Sequence, residues 1–152
     1  MDPLRYSVQL RWADMDPNFH LRHDAFYGIA AQARVEALVV SGFTSQRMQE
    51  LHIGPILFRE ECIFKREIRL DEKVEVLIRM SKARADGSRW TFHHEFRRAD
   101  GTVCATLITD GAWIDTEQRK LAIPPQDFAE DFLALPRTDD FELQPVPVPK
   151  QA

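Results

Sequence analysis

Residues 25–40 are apolar on nearly every side of a helix, and that run constrains the fold more than any other feature. Phe26, Tyr27, Ile29, Ala30, Ala31, Ala33, Val35, Ala37, Leu38, Val39 and Val40 leave few polar positions, namely Gln32, Arg34 and Glu36. A helix without a polar face is expected to be buried. Asp24 stands where an N-cap belongs and Gly42 where a C-terminal stop belongs, so the helix is predicted over about 24–41. Thr44 is placed to cap a short second helix through Leu51, ended by Gly54-Pro55.

Around this helix the hydrophobic period is two, the spacing of half-buried strands. In residues 5–12, Tyr6, Val8, Leu10 and Trp12 alternate with Arg5, Ser7, Gln9 and Arg11. Further strands are predicted over 56–69, with a bulge near Glu60-Glu61, and over 73–80, 89–97 and 102–115. Asp86-Gly87 and Asp100-Gly101 join the last three as hairpins, because such turns need positive φ at both central residues. Residues 126–135 after Pro124-Pro125 read as a short helix, and 136–152, with four prolines before Lys150, as an extended tail. The domain is thus assigned to 1–135 and the Pro-rich tail to 136–152. One buried helix against an antiparallel five-stranded sheet is an α+β layout, and a sheet wrapped around that helix is the hotdog fold. An open sheet leaves an edge strand, which predicts self-association.

Composition narrows the functional classes. At 152 residues one domain is the default. Three Trp, two Tyr and ten Phe exclude global disorder. No uninterrupted apolar run approaches the roughly 18 residues a membrane span needs. The start, Met1-Asp2-Pro3-Leu4-Arg5, lacks the pattern of a secretory signal. Two cysteines, Cys62 and Cys104, are too few for a disulfide framework or a zinc cluster and read as core residues in a reducing, cytoplasmic setting. The net charge of −4 argues against nucleic acid as a partner. That charge is uneven: residues 54–100 carry eleven Lys/Arg against nine Asp/Glu, whereas 115–152 carry four against eight.

The chemistry concentrates just ahead of the helix. Trp12-Ala13-Asp14-Met15-Asp16-Pro17-Asn18-Phe19-His20-Leu21-Arg22-His23 has no period and holds two Asp and two His. This segment resembles the signature of the 4-hydroxybenzoyl-CoA thioesterase-like hotdog family: aromatic-x-Asp-x-Asp, then Gly-His-Val-Asn-Asn, then an aromatic opening the helix. Asp14 and Asp16 match the acids, His20 the His, Leu21 the Val and Phe26 the aromatic. Ala33-Arg34 matches an Ala-Arg further along the helix, and Asp115-Thr116 with Ile123-Pro124 fits the family's order. The likeness covers about residues 5–125. It implies hydrolysis of an acyl-CoA to a carboxylic acid and CoA, with no cofactor beyond the CoA of the substrate. It also implies a homodimer or a tetramer of dimers with active sites at a subunit interface. Phe19 stands where the family has Gly, Arg22 and His23 replace two Asn, and Ala31 replaces an acid found on the helix of many members.

A thioester needs an attacking oxygen and stabilisation of its carbonyl oxygen; the leaving thiolate, with a pKa of about 8.5, needs no strong acid. Asp16 is the candidate base or nucleophile, with burial beside Trp12, Phe19 and Phe26 expected to raise its pKa. His20 is the second catalytic candidate, and Trp12, Phe19, Arg22, His23 and Phe26 the candidate substrate contacts. Backbone N–H groups at the start of the helix would serve the oxyanion. His20 and His23 lack the further ligands a metal site requires, so no metal is assigned. Glu60 and Glu61 are other acids that could reach the pocket. The alternatives are an acyl-CoA or acyl-carrier binding protein without catalysis and, less favoured, a hydratase or dehydratase of the same fold, whose motif Asp-x-Asn-Pro-x-His differs from Asp16-Pro17-Asn18-Phe19-His20 in order and spacing.

Overall fold

A computed structural model describes residues 1–149. The elements in chain order are β1 (Leu4–Ser7), a 3-10 turn (Trp12–Asp14), α1 (Ala25–Val40), α2 (Ser45–Glu50), β2 (Ile53–Phe64), β3 (Val74–Arg84), β4 (Arg89–Arg98), β5 (Val103–Asp115), β6 (Lys120–Ala122), α3 (Gln126–Leu133) and β7 (Arg137–Gln144). The strands form one sheet in the order β1-β3-β4-β5-β2, with β6 beside β5 and β7 beside β3. Among the described residues the sheet has seven strands rather than the expected five. Both additions come from the C-terminal part. β6 folds back on the end of β5, Trp113 opposite Ala122. β7 runs parallel to β3 on the edge that β1 leaves free. Residues 137–144 contain no proline, so nothing in them prevents ladder pairing; the Pro-rich stretch proper starts at Pro145.

The boundaries follow from where partners run out. The first strand stops near Ser7, not at residue 12, because Val8 donates to Val74 O and β3 begins there. β2 ends at Phe64 because the amides of Lys65 and Arg66 both turn to Cys104 O. Its bulge falls between Leu57 and Arg59, ahead of the expected Glu60-Glu61. Both Asp-Gly hairpins form, but with another turn than expected: Gly87 and Gly101 have φ of +76° and +91° while Asp86 and Asp100 do not turn left-handed, and each Gly N–H closes a turn one residue earlier, on Arg84 O and Arg98 O. Gly87 is required for a second reason, since a Cβ there would lie 2.9 Å from that of Ala129. Thr44 caps α2, accepting from Arg47 N at 3.1 Å.

α1 lies across the concave face of the sheet and buries Phe26, Ala30, Ala33, Arg34 and Ala37. It is not buried all round, as the sequence suggested. Val35, Val39 and Val40 are exposed, because one curled sheet covers one side of a helix and nothing among the described residues covers the other. Beyond the C-terminal end of α1 the core is aromatic: Phe43, Trp90, Phe92, Trp113, Phe128 and Phe132 meet with ring centroids 5.0–6.4 Å apart. α3 closes that end, which leaves the start of α1 and the loop before it as the open end of the molecule.

Candidate active site

The loop before α1 is a small hairpin. Asp16 N donates to His20 O at 2.8 Å and Phe19 N to Asp16 O at 3.0 Å, with Pro17 and Asn18 at the turn. Pro17 supplies the fixed φ such a turn favours. The Asp16 side chain locks the turn: Oδ1 accepts from Asn18 N at 2.9 Å and His20 N at 3.1 Å. Oδ2 carries no hydrogen bond among the described residues. Phe19 has φ of +62°. The loop therefore does use the left-handed conformation that the family's Gly adopts freely, and a Phe is held in it at a cost of about 1–2 kcal/mol. Bridges Met15–Leu21 and His20–Arg69, with Leu21 N on Ile68 O at 2.7 Å, pin the hairpin to the chain after β2.

Asp16, His20, Leu21, His23 and Phe26 line a cavity of about 330 Å³, which Phe64, Lys65, Arg66 and Glu67 complete from the end of β2. His20 Nε2 sits 3.0 Å from Glu67 Oε2. Phe26 stacks edge-on against Phe64 at 5.2 Å and packs on Phe96 at 5.1 Å, giving the cavity an aromatic wall. A larger groove of about 680 Å³ lies on the outer face of the sheet, lined by polar residues such as Arg79, His93, Asp110 and Asp140. It holds no residue of the loop, so size alone does not locate the chemistry. Among the described residues no three His, Cys, Asp or Glu side chains cluster as metal ligands.

Other sequence candidates fall outside the cavity within a single chain. Trp12 and Phe19 pair with each other at 6.0 Å and stay 67% and 62% exposed. Arg22 reaches back to Ala13 O at 3.0 Å and binds Asp24 Oδ1 at 2.6 Å. That contact has a consequence for the helix. Asp24 occupies the N-cap position but makes no side-chain cap, and the first turn of α1 contains no acid. The hydrogen bond from Arg22 instead holds the Asp24 carboxyl below its ordinary pKa. The N–H groups at the start of α1 are therefore left without a side-chain acceptor beside the cavity. Asp14 is structural: Arg11 grips both its oxygens at 2.9 Å and lowers its pKa. Cys62 has its thiol pushed up to about 11 by burial, far from the thiolate state nucleophilic chemistry needs.

Phe64, Lys65, Arg66 and Glu67 carry no motif, and sequence reasoning did not single them out. Their place depends on where β2 stops, which is set by a carbonyl on β5.

Residues 10–132 match the thioesterase-like superfamily. The chain belongs to that superfamily. No curated protein matches its sequence. Solved structures of similar fold include a hypothetical protein from Thermus thermophilus, 20% identical with a TM-score of 0.77 over 86% of this chain and 98% of that one. A Staphylococcus aureus protein solved in complex with CoA is 14% identical with a TM-score of 0.80, covering 99% of this chain and 92% of its own. The 1,4-dihydroxy-2-naphthoyl-CoA thioesterase from Synechocystis is 19% identical with a TM-score of 0.75, covering 87% and 96%. This thioesterase-like chain thus has the hotdog fold, an antiparallel sheet curled around α1, as its sequence suggested. No helix among its described residues is long and apolar enough to cross a membrane.

Proposed function

We propose that this thioesterase-like protein hydrolyses acyl-CoA thioesters, with Asp16 as general base or nucleophile. The observation that carries the reading is the Asp16 carboxylate itself. One oxygen is spent on the turn, the other is free, and the residue lines a cavity beside the uncapped start of α1. In one form Asp16 takes a proton from water, the hydroxide oxygen bonds to the thioester carbon, and the C–S bond breaks. In the other Asp16 attacks first and water hydrolyses the resulting anhydride. Either way the oxyanion forms next to helix N–H donors, where the helix dipole favours negative charge. The thiolate leaves and takes the proton that Asp16 holds in the first form, or one from the water that hydrolyses the anhydride in the second, so the Asp16 carboxylate is restored. His20, held by Glu67, positions the loop and the acid.

Lys65 and Arg66 line the cavity and offer positive charge that suits the phosphates of CoA, and the CoA-bound Staphylococcus aureus neighbour supports such a ligand. The active assembly is a homodimer or a tetramer of dimers. Its motivation is the apolar surface one chain leaves open: Val35 and Val39 on α1, and Ile63 and Phe64 on the unpaired edge of β2. With both cysteines free, the protein is assigned to the reducing cytoplasm.

Thiol release from a panel of short, long and aryl acyl-CoAs tests the function. Hydrolysis well above background for at least one class supports it. Tight binding without hydrolysis would make it a non-catalytic acyl-CoA or acyl-carrier binding protein, the reading favoured by Phe19 in place of Gly and by Ala31, where an acid is missing from the helix.

A further inference from the structure

Arg34 sits at the centre of α1 and is 7% exposed, yet no carboxylate lies within ion-pair distance of it among the described residues. Its hydrogen bonds leave from Nη1 alone, 3.1 Å to His94 Nε2 and 3.3 Å to Thr109 Oγ1. His94 Nδ1 lies 3.0 Å from Leu107 O. A carbonyl only accepts, so Nδ1 holds the hydrogen and Nε2 accepts from Arg34. Nε and Nη2 of Arg34 have no acceptor among the described residues. They are not sealed in either: the enclosed side-chain atoms left without a partner are Trp90 Nε1 and Thr138 Oγ1. The free edge of this nearly buried cation is therefore not fully enclosed.

Arg34 lies on the flank of α1 that faces β2. Tyr27, Ala31, Arg34 and Leu38 share one flank of α1 by helical spacing. The opposite flank, with Gly28, Gln32 and Glu36, lines a groove against β1. On β2, Glu60, Cys62 and Phe64 stand opposite Thr109, Leu107 and Ala105, all fully buried, so the three share the inner face. Glu60 is thus the cross-strand neighbour of the residue that Arg34 binds, and its charge acts on the guanidinium. At the other end of the same strip, Phe64 and Phe26 belong to the Asp16 cavity. Along α1, Arg34 is about 12 Å from Phe26; along β2, Glu60 is about 13 Å from Phe64.

We propose, resting on the thioesterase reading, that the acyl group lies along this strip and that Arg34 and Glu60 recognise a hydroxyl at its far end. A guanidinium only donates and a carboxylate only accepts. A hydroxyl does both and is neutral, so it fits between them. A terminal carboxylate meets repulsion from Glu60, and an ammonium meets it from Arg34. A methyl end desolvates both charges and pairs neither. With C–C bonds of about 1.5 Å in an extended zigzag, 12 Å corresponds to roughly nine or ten bonds. The preferred substrate is an acyl-CoA of about that length with an ω-hydroxyl group.

Binding of two non-hydrolysable thioethers, S-decyl-CoA and S-(10-hydroxydecyl)-CoA, tests this by calorimetry, beside hydrolysis of the matching acyl-CoAs. The native protein is expected to bind the hydroxylated ligand about tenfold or more tightly, the scale of a hydrogen bond to a charged group. Glu60→Leu is expected to weaken the preference, since the hydroxyl then keeps only Arg34 as a partner. Glu60→Gln, which keeps the side-chain shape should Leu disturb folding, is expected to reduce it to under about threefold. Equal binding by the native protein, or an unchanged preference in a folded Glu60→Gln variant, overturns the proposal. Hydrolysis of plain acyl-CoAs without the preference overturns this proposal alone; no binding and no hydrolysis overturn the thioesterase reading with it.

Discussion

His20 Nε2 lies 3.0 Å from Glu67 Oε2, and that contact joins the loop carrying Asp16 to the chain leaving β2. The backbone bridge from His20 to Arg69 runs beside it. The pair acts on position more than on stability, because Glu67 is largely exposed and an exposed pair contributes about 0–1 kcal/mol. Glu67→Gln is expected to shift the unfolding free energy by less than about 1 kcal/mol. His20→Ala is expected to lower kcat about ten- to a hundredfold with little change in KM, as for a group acting mainly in the transition state. Urea titration and steady-state kinetics check the two halves separately.

Phe19 gives a stability expectation with a definite sign. The left-handed conformation costs a non-glycine residue about 1–2 kcal/mol, while glycine adds about 0.5–1 kcal/mol of unfolded-chain entropy. Phe19→Gly is therefore expected to leave stability unchanged or raise it by up to about 1 kcal/mol. Phe19→Val, β-branched at positive φ, is expected to lower it by about 1 kcal/mol or more. Denaturant midpoints of the two variants rank them.

His94 makes stability depend on pH. Burial, followed by the charge of Arg34, pushes its pKa down from 6.5 to about 3. The folded protein thus keeps a neutral His94 where the unfolded chain binds a proton. Stability from this group is intact above pH 6.5 and falls as the pH drops from there toward 3. From pH 7 to pH 5 the loss is about 2 kcal/mol. His94→Gln is expected to be less stable at pH 7 but to lose about that much less between the two pH values. Parallel slopes for the two proteins would remove His94 as the cause.

Gly111 has no room for a side chain. A Cβ there would lie 2.2 Å from Cη2 of Trp90 and 2.6 Å from Ile56 O. The backbone oxygen cannot give way, and the indole is wedged among Phe92, Trp113 and Phe132. Gly111→Ala is expected to destabilise by about 2–3 kcal/mol, read as a fall in the urea midpoint.

What was legible in the sequence was local. The Asp-Gly turns, the Thr44 cap and the Gly42 stop depend on residues within a few positions, and each is found where its chemistry puts it. β7 was not legible as a sheet strand, because its partner is Met80–Arg84 on a distant strand and its own alternation is weak. At the site, Asp16, His20, His23 and Phe26 could be read from one segment. The far wall, Phe64 to Glu67, could not, since Cys104 O decides where β2 ends. Asp24 was read as a cap from its position alone. Arg22, two residues away, competes for the same carboxylate through Nε, and a charged donor outweighs a backbone amide. The exposed side of α1 was hidden for another reason: an all-apolar helix looks the same whether its own sheet or a second chain covers it.

Asp16→Asn tests the account most directly. The substitution keeps the Oδ1 acceptor for Asn18 N and His20 N, so the loop and the oligomer are expected to survive, as circular dichroism and sedimentation would report. Thiol release from the best acyl-CoA is expected to fall about 10²–10⁴-fold, the range for removing a general base. A folded Asp16→Asn protein that hydrolyses that acyl-CoA at the native rate would contradict the account.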